Sequence, residues 1–218
     1  MSRFWSHFAR RRERWTLTWP ARAIVLMVVG VLALGGIRNL YIFLSPTQPA
    51  GGKFLVVEGW MPKFAYRSAA SIFREGKYAQ IIAVSVVLED GFATIDRPTD
   101  SGLESLVAAG VPQGLIAVAS YHAIQRDRTY HAALAVREWM RSHGILATSV
   151  DIVTLGAHAR RSRLLYQEAL GDGFRVGVIS IEDPRIDPLH WWRTSEGARS
   201  VIGETIGYVY ARLLFNPE

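Results

Sequence analysis

The sequence predicts an α/β fold: a Rossmann-like three-layer sandwich around a mostly parallel sheet of about five strands, preceded by one N-terminal transmembrane helix. Three observations predict it. From Lys53 onward, short unbroken apolar runs alternate with amphipathic stretches, the pattern of a parallel sheet covered on both faces. Ala23–Ile37 (AIVLMVVGVLALGGI) is uncharged and almost wholly apolar. Polar, chemistry-bearing residues gather where the later apolar runs end, and open α/β sheets bind ligands at the carboxyl ends of their strands.

Residues 1–22 carry Arg3, Arg10, Arg11, Arg12, Arg14 and Arg22 against Glu13, a net of +5 (six minus one). The whole chain carries +6, so only +1 (six minus five) remains for everything after Arg22. A phosphate-backbone footprint needs clustered positive charge on the folded domain, so no nucleic-acid partner is expected. Extended to Leu44, the apolar segment holds 22 residues. That is about 33 Å of helix, enough to cross a bilayer. Arg38 would snorkel to the far interface, and Trp15, Trp19 and Tyr41 suit the aromatic belts.

The positive-inside rule then makes 1–22 a basic cytoplasmic tail and 23–44 a signal anchor in the cytoplasmic membrane, with the rest extracytoplasmic. Ser45-Pro46-Thr47-Gln48-Pro49-Ala50 is a poor cleavage site, which argues against a removed signal peptide. A basic, tryptophan-containing leader argues against a buried core helix. Residues 45–52 (SPTQPAGG) read as a linker. The chain has no cysteine, which excludes disulfides, thiolate zinc sites and cysteine nucleophiles.

The globular part is 53–218. Phe54–Val57 reads as the first strand, closed by Glu58-Gly59-Trp60. Pro62 opens a helix with Ala65, Ala69, Ile72 and Phe73 at helical spacing, which Gly76 ends. Ile81–Leu88 is the second strand, followed by the polar loop 89–100 and a helix over 101–109 that stops at Gly110-Val111-Pro112. Leu115–Ala119 is the third. Thr129, suited to an N-cap, leads a helix to His143 with Ala132, Ala133, Val136 and Met140 on one face. Val150–Leu155 and Arg175–Ser180 are strands four and five, separated by a helix over His158–Leu170. A last amphipathic helix over 195–214 has Ile202, Ile206, Val209 and Leu213 as its stripe.

The stretch Val153–Leu165 (VTLGAHARRSRLL) carries the sharpest chemical signal. Strand four ends at Gly156, and His158, Arg160 and Arg161 open the next helix. Cations in a first turn oppose the helix dipole unless an anion is present, and the free N–H groups there favour one. Arg160 and Arg161 precede Leu164 and Leu165 by three or four residues and so share the inward side, whereas Arg163 points to solvent. Glu58 either works on a ligand or pairs with one of these arginines. The adjacent tryptophans of His190-Trp191-Trp192-Arg193 suit either core packing or a ligand or membrane contact. There is no GxGxxG, P-loop, GxSxG elbow or HExxH, so these motifs identify no particular cofactor, and Glu182, Asp183 and Asp187 make no metal spacing.

Leu55–Gly59, Gly110-Val111-Pro112, Thr129 with Ala133, and Val153-Thr154 with His158 and Arg161 together resemble the YdcF/SanA/ElyC-like envelope proteins. Glu204 resembles the glutamate of that family's C-terminal helix. The resemblance covers roughly 53–215. It implies a Rossmann-like domain at the cytoplasmic membrane, in cell-envelope biogenesis and polysaccharide or lipid-carrier metabolism. The chain departs from the family pattern at Ser85-Val86-Val87, where a Ser-Gly-Gly turn is usual, and at Thr129-Tyr130-His131-Ala132, which lacks the acid and amide of T-x-E-N. Asp100 only loosely replaces another expected acid.

The expected function is binding of an anionic, phosphate-bearing envelope metabolite, free or lipid-linked. The site residues are His158, Arg160, Arg161, Thr154, Gly156, Glu58, Gly59, Trp60 and Thr129, with no catalytic residue assigned. A non-catalytic scaffold in envelope assembly and a nucleotide- or cofactor-binding enzyme are the alternatives.

Overall fold

The computed structural model describes residues 16–87, 101–122 and 126–217. The arginines of 3–14, Trp15 and the loop holding Glu89, Asp90 and Asp100 lie outside the described residues. The chain forms two compact units, one ending at Arg38 and the other beginning at Asn39.

In the first unit, α1 (Trp19–Arg38) is a single helix of 20 residues with none buried. It is long and apolar enough to cross a membrane. The sequence placed the end of this segment at Leu44, and the structure moves it. Leu40–Leu44 forms a separate short helix, α2, in the second unit. There Tyr41 and Leu44 are 3% and 0% exposed and pack with Ala157, Trp191 and Val201. An apolar run cannot distinguish lipid from protein interior, because hydrocarbon and a packed core reward the same side chains. Tyr41 is therefore a core residue of the globular unit.

Residues 45–52, expected as a linker, are stitched into the fold. Gln48 bridges Val178 in antiparallel fashion, with backbone hydrogen bonds of 2.7 and 3.1 Å. Ala50 N and Gly52 N donate to the Asp151 carboxylate at 2.5 and 3.2 Å.

The sheet contains β1 (Phe54–Val57), β2 (Gln80–Val87), β3 (Ile116–His122), β4 (Ser149–Leu155) and β5 (Arg175–Ile181). All pairs are parallel, in the order β3-β2-β1-β4-β5. The helices α3 (Lys63–Glu75), α4 (Ser101–Ala108), α5 (Arg128–Ser142) and α6 (Ala159–Leu170) are the crossovers. Strand parity separates the two cores. Leu55, Val57, Ile81 and Val153 face α3 and α4. Val56, Ile82, Val84 and Ile152 face α5 and α6. Each such side chain taken fully out of water contributes about 1.5–3 kcal/mol, which is why unbroken Val/Ile/Leu runs form these strands.

Two helix expectations change. The residue flanking α5 is Asp127, in the left-handed region at φ 50°, so Thr129 lies inside the first turn instead of capping it. In α7 (Ser195–Leu213), Thr194 caps by accepting from Gly197 N at 3.1 Å, but the stripe Ile202, Ile206, Val209, Leu213 faces outward. The domain-facing side of α7 instead carries Gly197, Val201 and Glu204, which is only half-exposed or less.

Candidate functional site

The strand order reverses between β1 and β4: the chain leaves β1 towards β2 on one side and β4 towards β5 on the other. Open α/β sheets have their ligand crevice at the carboxyl side of such a switch point. Glu58 follows β1 there, and Thr154 and His158 end β4 and begin the α6 turn. Parity aims them: Val56 and Ile152 face α6, so two residues further on Glu58 and Thr154 do as well.

Glu58 is 2% exposed. Its Oε2 accepts from Thr154 Oγ1 at 2.5 Å and Trp60 Nε1 at 2.9 Å, and its Oε1 accepts from Ser162 Oγ at 2.9 Å. Three donors around one carboxylate suit its ionised form, which only accepts. Gly59 lets the chain turn here, since a Cβ at this position would lie 2.1 Å from Val84 O.

His158 sits on a 3-10 turn, Gly156–His158, ahead of α6. Gly156 has φ +50°, and a Cβ there would meet the Tyr41 hydroxyl at 2.8 Å, so glycine fits on both counts. His158 Nδ1 lies 2.8 Å from Glu204 Oε1 and 2.9 Å from Arg161 Nη2. An ionised carboxylate can only accept, so the tautomer that serves this contact carries its proton on Nδ1 and donates to Glu204. His158 Nε2 lies 3.7 Å from Glu58 Oε2, beyond hydrogen-bond reach, and is a buried atom with no hydrogen-bond partner. The Trp60 and His158 rings meet in a T-shaped arrangement with centroids 4.9 Å apart, while Trp60 itself is 53% exposed.

Glu204 comes from α7. It accepts from Arg161 Nε at 2.8 Å and Arg161 Nη2 at 3.1 Å. Burial pushes its pKa up, but the hydrogen bonds and charges of His158 and Arg161 outweigh this and hold it at about 2. Of the two arginines in the first turn of α6, Arg161 thus has its anion within the protein, supplied by Glu204.

The structure brings together Glu58, Gly59, Trp60, Thr154, Gly156, His158 and Arg161. It separates Arg160, whose Nε donates to Phe43 O and whose guanidinium lies 3.9 Å over the Phe43 ring. Arg160 and Arg161 therefore do not point the same way, because adjacent helical positions diverge by about 100° and each found its own acceptor. Glu58 pairs with neither arginine. Arg163, read as pointing to solvent, is partly buried and donates to Val176 O at 3.0 Å and Gln48 Oε1 at 2.5 Å. Thr129, at the start of the helix after edge strand β3, has no hydrogen bond to this cluster. Trp191 is 6% exposed in the core around α2 and α7, and Trp192 is 41% exposed.

Sequence reading missed Ser162 and Tyr166. Both lie on the buried face of α6, and the Tyr166 hydroxyl, fully buried, has no hydrogen-bond partner. Burial raises the Tyr166 pKa well above the ordinary tyrosine value, with the negative field of Glu58 adding to it. A signal was present: His158, Ser162 and Tyr166 recur every four residues on the face that otherwise carries Ala159, Leu165 and Ala169. Among the described residues, no group of three or more His, Asp or Glu side chains is arranged to hold a metal ion. The chain matches no family model and no curated protein.

Proposed function

We propose that this is a single-pass membrane protein whose α/β domain binds a phosphate-bearing metabolite of the cell envelope at the β1–β4 switch point, with His158 as the group that meets the phosphate. The observation that carries this reading is the state of the imidazole. Its Nδ1 is committed to Glu204, while its buried Nε2 has no hydrogen-bond partner among the described residues. An imidazole fixed at one nitrogen and free at the other donates to an anionic oxygen when protonated and accepts a proton when neutral. The N–H groups at the start of α6, a helix of 12 residues, add a field favourable to an anion. Arg161 acts indirectly, by balancing Glu204.

The membrane assignment rests on α1 and the arginine-rich leader, which favours a cytoplasmic N-terminus and an extracytoplasmic domain at the inner membrane. The resemblance to YdcF/SanA/ElyC-like proteins supports envelope biogenesis. Three of the residues that carry it meet here: Glu204 accepts from both His158 and Arg161.

The test is thermal unfolding of the full chain in detergent with inorganic phosphate, a soluble sugar phosphate and a polyprenyl phosphate. At least one should raise the Tm of the wild type, and His158→Asn should abolish the rise. If none raises it, or if His158→Asn keeps the full rise, the reading is wrong.

A further inference from the structure

We propose that the ligand of this site is a sugar or polyol phosphate with a free hydroxyl vicinal to the phosphoester, and that it binds by displacing Trp60, whose indole N–H stands on Glu58 where that hydroxyl will sit. The proposal rests on His158 as the phosphate contact and names the class of ligand.

Three side chains converge on one oxygen. Glu58 Oε2 accepts from Thr154 Oγ1 at 2.5 Å and from Trp60 Nε1 at 2.9 Å, and His158 Nε2 stands 3.7 Å from it. A carboxylate oxygen has two lone pairs, and Thr154 and Trp60 take both. Exposure separates the three: Thr154 is at 0%, His158 at 8% and Trp60 at 53%. Of these side chains, Trp60 is the one that runs from Oε2 out to the surface.

His158 Nε2 is closed to solvent as well as unpartnered. A ligand atom therefore reaches it only after a side chain moves. Thr154 lies within β4, paired with Ser180 of β5. The imidazole is held from its other side by Glu204 Oε1, 2.8 Å from Nδ1. Trp60 lies in the turn between β1 and α3, outside either element. An indole has one donor, and here it is spent on Glu58. Swinging outward costs Trp60 that hydrogen bond and its ring contact with His158.

The ligand has to replace what the indole gave. With Trp60 swung out, Nε2 and Oε2 stand side by side, 3.7 Å apart. The first meets an anionic oxygen; the second is a buried carboxylate oxygen short of one donor. A phosphate oxygen by itself serves Nε2 but brings negative charge towards Glu58 without a proton to share. A hydroxyl on the adjacent carbon donates to Oε2 while the phosphate accepts from Nε2, so one ligand answers both atoms. A phosphate on a bare alkyl or polyprenyl chain has no such donor.

The test is calorimetric titration of the full chain in detergent at pH 7, where a phosphomonoester is mostly a dianion without a P–OH. The ligands are methyl phosphate, glucose 1-phosphate and 2-deoxyglucose 1-phosphate, the last lacking only the vicinal hydroxyl. The wild type should bind glucose 1-phosphate roughly ten- to hundredfold more tightly than its 2-deoxy analogue, the range for a hydrogen bond to a charged group. Trp60→Phe should tighten all three several-fold, because the indole N–H no longer competes for Glu58, and should leave that ratio unchanged. Equal affinity for the two sugar phosphates, or binding of methyl phosphate alone, would overturn the ligand class and leave the phosphate site standing. Unchanged or weaker binding by Trp60→Phe would show that the indole stays in place and overturn its displacement. If no phosphate binds the wild type or the variant, the phosphate reading itself fails, and this inference with it.

Discussion

Asp151 and Glu58 are both buried carboxylates beside the central strands, and they are solved in opposite ways. Asp151, early in β4 and 0% exposed, accepts from Ala50 N, Gly52 N and the Tyr78 hydroxyl. Every partner it needs is at hand, and the result ties 45–52 to the sheet. Glu58, after β1, also has three donors, yet two polar atoms near it are left over: His158 Nε2 and the Tyr166 hydroxyl. Buried polar groups are normally satisfied, because leaving one unpaired costs about 1–3 kcal/mol. Burial of a charge therefore does not mark function here. Leftover hydrogen-bonding capacity beside it is what sets the proposed site apart.

The largest effect that would sharpen this contrast is expected at the staple. Asp151→Ala strands two backbone N–H groups and the Tyr78 hydroxyl, and should cost about 3–5 kcal/mol in chemical denaturation of the full chain in detergent. A loss under 1 kcal/mol would break the comparison by showing that the staple is dispensable.

Next comes acid. Glu204 has its pKa lowered to about 2 in the folded protein, against roughly 4.3 in an unfolded chain. Its contribution is therefore complete above the unfolded value and is lost as pH falls from about 4.3 towards 2, amounting to about 3 kcal/mol at most. Unfolding followed across that window should show a slope that Glu204→Gln flattens. An unchanged slope would mean that the α6–α7 link is not the pairing described.

The smallest effect discriminates best. Tyr78→Phe removes a hydroxyl that donates to Asp151 at 3.0 Å and should cost about 1 kcal/mol. Tyr166→Phe removes one without a partner and should be neutral or slightly stabilising. Equal losses would show that the Tyr166 hydroxyl is satisfied in solution and erase the distinction between the two sites.

Most of the fold was legible because strands buried on both faces and helices with one apolar side write their periods directly into the chain. Phe54–Val57 was read to the residue, and the remaining strands to within a few positions. The site was legible in part. Glu58, Trp60, Thr154 and His158 stand at strand ends, which a linear pattern reveals. Ser162 and Tyr166 looked like ordinary helix residues because their significance depends on which face β4 and β1 cover.

What the sequence determined by itself was local: period, the glycine turns at Gly59 and Gly156, the apolar helix α1 and the concentration of positive charge before it. Tertiary structure decided every question of partnership. It gave Leu40–Leu44 to the globular core, sent Arg160 to Phe43 and Arg161 to Glu204, and turned the α7 stripe outward. The reason is physical. Backbone dihedrals and apolar spacing are set by neighbours in the chain, whereas a charge or an apolar face takes whichever complement packing brings within a few ångströms, and Glu204 lies 43 residues from Arg161.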